Sequence, residues 1–162
     1  MSSTETSTPQ NYWQPRTGGH IAVGVDQSGS SRAALAWAAD EARTRDVPLH
    51  VIFAWSGIGV DIARASGWVQ AVTTDLEKGA AEEVIHNAVR EVLGDNPDVK
   101  LIEVPMPGEG AQALIEASKD ADMLVVGSRG EGGFDGLHLG SVSEKCVHHA
   151  YCPVVVIRTG GD

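Results

Sequence analysis

The sequence predicts an α/β protein with a single domain, built as an open, doubly wound, Rossmann-like sheet of five parallel strands. Short apolar segments rich in β-branched residues alternate along the chain with longer segments of helical periodicity. A chain of 162 residues, 42% of them hydrophobic, is large enough for one domain with its own core. Continuous apolar strands that alternate with helices form parallel sheets covered on both faces.

The first two predicted strands flank an alanine-rich helix. Residues 21–25 form a short apolar run, and the polar residues 26–31 separate it from the helix. The helix ends before Pro48, which cannot continue it, and residues 49–54 form the second strand. The predicted inner face of this helix comprises Ala34, Leu35, Ala38, Ala39 and Ala42.

A long helix follows a looser segment, residues 55–71. We expect Gly94 and Pro97 to mark its end. Apolar residues spaced by four predict its inner face, which comprises Leu76, Ala80, Val84, Ala88 and Val92. The looser segment contains Trp55 and Trp68, and it is either a lid over a ligand or a loop packed on the body.

Three further strands complete the predicted sheet. Residues 99–104 alternate between apolar and polar side chains, as an edge strand does, whereas residues 123–126 and 153–157 are apolar runs. Helices at 111–118 and 141–149 lie between them. The predicted domain therefore spans residues 20–158.

Both ends of the chain lie outside this domain. Residues 1–19 are rich in Ser, Thr, Pro and Gly and show no periodicity, which predicts a disordered tail. Residues 159–162 form a short C-terminal tail in the same interpretation.

The charge balance argues against several classes of function. The formal net charge is −10 and the pI about 4.9, whereas nucleic-acid binders need a clustered basic surface. The first residues lack the basic start and apolar run of a signal peptide, and no apolar run is long enough to span a membrane. Two cysteines are too few for a disulfide framework. We expect a cytoplasmic protein that binds neither nucleic acid nor membrane.

Two loops follow the carboxyl ends of strands, where open parallel sheets bind their ligands: residues 26–31 and residues 127–140. The second loop has six glycines in fourteen residues, and its N–H groups, with the start of the next helix, favour an anion. Ser141 and Glu144 fit a capping box, which predicts Ser141 as the N-cap. These features predict a phosphate site. The alternative is a surface loop capped by Ser141.

The glycine loop is neither of the two commonest nucleotide motifs. A P-loop needs a lysine after its last glycine, where this chain has Ser141. Residues 108–113 resemble a dinucleotide-binding fingerprint, but they follow the edge-like strand and lack the acidic partner. We interpret them as the start of a helix.

The glycine spacing carries a family resemblance. Gly127-x2-Gly130-x9-Gly140-Ser141 resembles the ATP-binding signature of the universal stress protein family, and the similarity runs from about residue 20 to residue 158. The resemblance implies a fold of the adenine nucleotide alpha hydrolase type with strand order 3-2-1-4-5. It also implies a homodimer formed through the strand at 153–157.

The resemblance further implies where ATP, accompanied by Mg²⁺, would bind. The residues around its phosphates and ribose would be Gly127, Ser128, Arg129, Gly130, Gly133, Gly140, Ser141, Val142 and Ser143. Gly24 and Asp26 would meet the adenosine end, and the backbone of Ala54 would meet the adenine. Because a carboxylate repels a triphosphate, Asp26 suits ribose hydroxyls or the adenine amino group. The alternative is that Asp26 forms an Asx turn or helix cap with Ser28 or Ser30.

A cluster of potential metal ligands has a simpler interpretation. Its members are Cys146, His148, His149 and Cys152, and the paired spacing typical of zinc sites is missing. We interpret the cysteines as structural, with Cys146 and Val142 on the buried face of the last helix, and the histidines as surface residues.

Catalytic machinery is hard to find, and we assign no catalytic residue. Arg129 is the sole basic residue of the glycine loop, and Glu131 and Asp135 fit solvated loop acids better than Mg²⁺ ligands. The resemblance therefore implies an ATP-binding regulatory module in stress response, acting on a protein partner that the sequence does not identify. The alternatives are a slow ATPase on the same site, or a dimeric adaptor with a vestigial pocket.

Overall fold

The computed structural model describes residues 18–56, 70–129 and 139–159, and at 70–74 it describes the backbone alone. Most of both predicted tails and of the 55–71 segment therefore lie outside the described residues, as do Gly130 and Gly133. The strands are β1 (Ile21–Gly24), β2 (Leu49–Trp55), β3 (Leu101–Pro107), β4 (Met123–Gly127) and β5 (Val154–Ile157). The helices are α1 (Gly29–Arg45), α2 (Gln70–Leu93), α3 (Gly110–Ala117) and α4 (Ser141–His149).

The five strands form one parallel sheet of order β3-β2-β1-β4-β5, which confirms the predicted fold class and strand order. Helices α1 and α2 pack on one face, and α3 and α4 pack on the other. The central strand β1 pairs with β2 and β4, so the direction of winding reverses between β1 and β4.

Helix α1 follows the sequence prediction closely. Ser28 caps its start, where the Ser28 hydroxyl accepts a hydrogen bond of 3.2 Å from the backbone N–H of Ser31. Asp46 ends it in the left-handed conformation, at φ 54°, two residues before Pro48. The predicted inner face is confirmed, because all five of its apolar residues are fully buried. Small alanine side chains let this helix lie close to the sheet.

The predicted inner face of α2 is partly wrong. Leu76 is 71% exposed and Ala80 is also exposed, whereas Ala81, Ile85 and Val89 are buried against the core. Neighbouring positions differ by about 100° around a helix, so the row that begins at Ala81 faces the sheet, and the predicted residues Val84, Ala88 and Val92 lie half-buried beside it.

The third strand is an edge strand, as predicted, but it begins at Leu101 and extends to Pro107. Its two prolines are tolerated because their backbone nitrogens face away from β2. Trp55 accepts from the N–H of Gly108, so even-numbered positions of β3 bond to β2. Pro105 and Pro107 therefore occupy outward positions where a missing N–H costs no ladder bond.

A pair of histidines stacks at the amino end of the sheet. The rings of His20, just before β1, and His50, in β2, have centroids 3.6 Å apart with 16° between their planes. Burial, and to a lesser extent His20, lowers the pKa of His50 to about 4. The folded protein therefore favours neutral His50.

Leu35→Ala should lower the free energy of unfolding by about 2–5 kcal/mol, since Leu35 is fully buried in the core. Leu76→Ala, the same change at an exposed position of a helix, should cost about 0.5 kcal/mol or less. Urea unfolding of the two variants measures the difference. Equal losses would contradict the assignment of the two helical faces.

Acidification should destabilise the protein partly through His50. Between pH 6.5 and about 4 the unfolded chain binds a proton at this site that the folded chain does not, so stability falls as pH falls through that window. We expect the free energy of unfolding of His50→Asn, measured in urea at pH 7.5 and 4.5, to fall less than that of the wild type. An identical fall in both proteins would refute this origin.

Candidate functional site

A cavity of about 120 Å³ opens at the carboxyl edge of the sheet, beside the point where the winding reverses. The ends of β1, β2 and β4 form its floor, and the first turns of α3 and α4 form its wall. Seven of the twelve predicted site residues line it: Gly24, Asp26, Ala54, Gly127, Arg129, Val142 and Ser143. The topology has thus brought together residues that are more than a hundred positions apart.

The remaining predicted residues lie around this cavity or outside the description. Ser128, Gly140 and Ser141 belong to the β4–α4 connection but do not line the cavity. Gly130 and Gly133 lie outside the described residues. A nucleotide-binding role for any of the twelve stays a prediction.

Much of the cavity lining was not predicted from the sequence. It is mainly apolar and comprises Val25, Ile52, Phe53, Leu114 and Val126, with Ser31 and Gly110. The strand residues follow from topology, because any residue at the carboxyl end of β1, β2 or β4 reaches this edge. Gly110 and Leu114 carry no such signal, since their place depends on how α3 packs against α4.

The start of α4 differs from the predicted capping box. Gly140 is the N-cap, no side chain of the described residues caps the helix, and Ser141 is its first residue. The Ser143 hydroxyl instead donates to the carbonyl of Gly127, at 2.5 Å. Ser143 is buried against the end of β4, so its hydroxyl takes part in a tertiary contact. Within the described part of the chain, the first N–H groups of α4 have no side-chain cap.

The first turn of α1 is hydrogen-bonded to the residue Arg129, which follows β4. The Ser30 hydroxyl donates to the carbonyl of Arg129, and the N–H of Arg129 lies 3.4 Å from the same hydroxyl. A Cβ on Gly127 would lie 2.5 Å from that hydroxyl oxygen and 2.7 Å from the Ser30 carbonyl carbon. Gly127 is therefore required by strand–helix packing, whatever the cavity binds.

Asp26 forms the Asx turn that was the alternative to a ligand role. Its Oδ1 accepts from the N–H of Ser28 at 2.8 Å, and its own N–H donates to the Ser31 hydroxyl at 3.2 Å. Asp26 also lines the cavity, so the turn fixes the carboxylate at the cavity wall.

The two cysteines are buried and the neighbouring histidines are exposed, as predicted. Burial, with a smaller contribution from Cys152, raises the pKa of Cys146 to about 11, so its thiol stays protonated. Val142, which we expected beside Cys146 on the buried face, is 36% exposed and lines the cavity instead. Within the described ranges, no three His, Cys, Asp or Glu side chains converge as a metal site would require.

Two other sequence interpretations can be compared with the structure. Residues 108–113 do begin a helix, since α3 starts at Gly110 with Glu109 as its N-cap. Of the possible lid, residues 55–56 and the backbone of residues 70–71 are described, and the Trp55 indole N–H donates to Glu77 at 3.3 Å. Among the described helices, none is long and apolar enough to cross a membrane.

The sequence matches a model of the Usp, or universal stress protein, family over residues 19–158. Universal stress protein Rv2623 of Mycobacterium tuberculosis is 36% identical over 138 residues, which cover 85% of this chain and 44% of that protein. The chain thus spans less than half the length of the curated relatives that it matches.

Solved structures show the same fold at lower identity. The universal stress protein UspA of Lactobacillus plantarum is similar with a TM-score of 0.67, at 22% identity over 88% of this chain and 99% of that one. A universal stress protein in complex with cAMP gives a TM-score of 0.57, at 22% identity over 88% and 98%. The Archaeoglobus fulgidus protein in complex with dAMP gives 0.54, at 22% identity over 86% and 97%.

Proposed function

The chain belongs to the universal stress protein family, and on that premise we propose that it binds ATP in the cavity at the carboxyl edge of the sheet. Binding would make it a nucleotide-dependent regulatory module of the cytoplasmic stress response. The cAMP and dAMP complexes of the two structural neighbours support an adenine nucleotide as the class of ligand.

The observation that carries this proposal is the backbone of Ala54. Pairing between β1 and β2 ends at Gly24 and Ile52, while β2 continues to Trp55. Ile52 accepts from Val25 on the β1 side, and Trp55 accepts from Gly108 on the β3 side. Since successive residues of a strand alternate, the N–H and C=O of Ala54 point to the β1 side, beyond the last paired residue of β1.

This peptide donor and acceptor lie beside an apolar cleft that suits a purine ring. Adenine offers an acceptor at N1 and a donor at its 6-amino group, which match one N–H and one C=O on a single strand residue. Guanine offers a carbonyl at position 6 and a proton on N1, the reverse order. Ile52 and Leu114 line the cavity next to Ala54 and supply the apolar contact.

The other end of the cavity suits phosphate. Among the described residues no side chain caps the N–H groups at the start of α4, which begins at Ser141, close to the cavity residues Val142 and Ser143. Arg129 lines the same end and supplies a cation. We propose that five further residues complete this phosphate and ribose site. They are Ser128, Gly140 and Val142, together with Gly130 and Gly133, which lie outside the described residues. Asp26, held by its Asx turn, would face the ribose hydroxyls rather than the phosphates.

Mg²⁺ would enter with ATP, bound to its phosphate oxygens. Asp26 is the carboxylate that lines the described cavity, and its Oδ1 already accepts from Ser28. One carboxylate among the described lining residues suits an Mg²⁺ ion held by the phosphates of ATP better than an Mg²⁺ ion held by protein ligands. Binding without turnover is the function that we favour, and a slow ATPase on the same site is the alternative.

A second copy of the chain is the proposed partner at the open edge of β5. Val154–Ile157 is half-buried, and in the described part of the sheet it pairs on one side with β4. Val147 in α4 and Tyr151, between α4 and β5, are exposed hydrophobic residues. In the described part of the sheet the outer side of β5 has no partner strand, and such an edge offers its backbone groups for pairing with a second chain. A protein partner of unknown identity would then bind the dimer with nucleotide and the dimer without nucleotide with different affinity.

Gly110→Val should weaken ATP binding at least about tenfold, a loss of roughly 1.4 kcal/mol, because the new side chain enters the cavity. A Cβ at this position meets Val142 at 3.8 Å, so the fold accommodates the branch point. Gly79→Val, at a helical glycine with open space around it, is the matched control. Calorimetric titration with ATP and GTP should show binding of ATP in preference to GTP by wild type and Gly79→Val. Equal affinity for the two nucleotides would count against the Ala54 assignment.

The same samples distinguish binding from catalysis. Incubation with Mg-ATP over hours, followed by chromatography of the nucleotides, should return ATP unchanged. Steady ADP formation that Gly110→Val abolishes would favour the slow ATPase. Failure of wild type to bind any adenine nucleotide would favour the adaptor with a vestigial pocket.

Val156→Pro should convert a dimer of about 34 kDa, twice the chain mass of 17.0 kDa, into a monomer. Ser128 donates to Ile157 and Leu124 to Pro153, so odd positions of β5 bond to β4 and the N–H of Val156 points to the open edge. Glu103→Pro, at an outward position of the opposite edge strand, is the control. Light scattering after size exclusion measures the masses. A dimer that survives Val156→Pro would place the interface elsewhere.

A further inference from the structure

The outer edge of β3 lacks backbone donors along its carboxyl half. The N–H of Gly108 and the carbonyl of Lys100 both bond to β2, so the even positions of β3 face that strand and the odd positions face outward. The outward positions are Leu101, Glu103, Pro105 and Pro107. Because proline has no N–H, the second half of this edge offers carbonyl oxygens alone.

Apart from the two prolines, β3 has the features of an edge strand that pairs with another chain. It is seven residues long, whereas β5 has four. Ile102 is 41% exposed, and Val104 and Met106 are half-buried on the same face of the strand. The one charged residue of β3 is Glu103, whose carboxylate lies 3.5 Å from His86 of α2. Long, apolar edges of this kind pair with other chains.

The opposite edge keeps its donors. In the described part of the sheet β3 and β5 are the two edge strands. The outward positions of β5 are Val154 and Val156, and both retain an N–H. If length and apolar surface alone determined which edge pairs, β3 would be preferred over β5. The prolines are the feature of β3 that opposes this preference.

We propose that Pro105 and Pro107 block the β3 edge against a second copy of this chain, so that assembly through the sheet uses the β5 edge alone. A chain with two open edges can pair head to tail, β3 of one copy with β5 of the next, and such contacts build open filaments. A chain with one open edge pairs only through that edge, and the assembly ends at two copies. The inference concerns β3 and goes beyond the nucleotide site.

The test replaces both prolines with threonine, which favours strands and has a backbone N–H. Pro105→Thr/Pro107→Thr restores two outward donors, so the mass of the main species should rise at least about twofold above that of the wild type. Light scattering after size exclusion, at increasing protein concentration, measures the masses. Pro97→Thr, at a proline outside the strands, is the matched control and should keep the wild-type mass.

Two further measurements distinguish strand pairing from aggregation of unfolded protein. Hydrogen exchange in Leu101–Pro107 should be slower in the double variant than in the wild type, because pairing protects amides that now face solvent. Ile102→Lys, added to the double variant, places a charge beside the restored donors, and a charge on an edge strand opposes pairing. The triple variant should return to the wild-type mass.

A double variant with the wild-type mass would overturn the inference, since the restored donors would then attract no second copy. A larger mass without slower exchange in β3, or one that persists with Ile102→Lys, would also overturn it, because the new contact would lie elsewhere. The mass of the wild type tests the proposed dimer separately. A monomeric wild type would refute that dimer and would leave the increase expected of the double variant unchanged.

Discussion

The parallel pairing of β1 with both β2 and β4 is the constraint on which the site depends. β1 is short and its pairing stops at Gly24, while β2 continues to Trp55 and β4 to Gly127. The longer neighbours therefore extend past the end of the central strand and enclose a cleft. Backbone groups that would have completed the ladder face this cleft, and buried backbone groups require partners. A ligand that supplies a donor and an acceptor in line with Ala54 meets that requirement.

Close packing accounts for part of the glycine content at this edge. A Cβ on Gly24 would approach Leu114 to 2.7 Å, and one on Gly127 would approach the backbone of Ser30 to 2.7 Å. Both glycines thus let helices approach the strand ends, and the cleft exists because those approaches are short. Gly127, which belongs to the signature, thus serves the fold as well as any ligand, and replacing either glycine tests stability and binding together.

The sequence predicted features that depend on local patterns better than features that depend on contacts between residues distant in the chain. The alanine face of α1 was predictable from its helical periodicity, and the strand order was implied by the family resemblance that the glycine spacing carries. The capping of α4 was not, because the pattern of Ser141 and Glu144 expresses a local preference, whereas in the structure Gly140 is the N-cap and Ser141 is the first helical residue. The inner face of α2 was missed for a related reason: Leu76 and Ile85 are equally apolar, and only the position of the helix over the sheet distinguishes them. The cavity wall at Leu114 depends on helix–helix packing and has no sequence signal.

An acidic protein can hold a polyanion when the binding groups are short-range dipoles. The net charge of −10 is spread over the surface, and at physiological ionic strength a charge is screened beyond about 8 Å. Amide hydrogens at a helix start act at hydrogen-bond distance, where that distant charge contributes little. Arg129 is the one cationic side chain among the described residues that line the cavity. Orientation of peptide groups then matters more than the number of basic residues. The carbonyl oxygens of residues 127 to 129 are each bonded by a donor within the fold, so they do not compete with the amide hydrogens for this edge of the sheet.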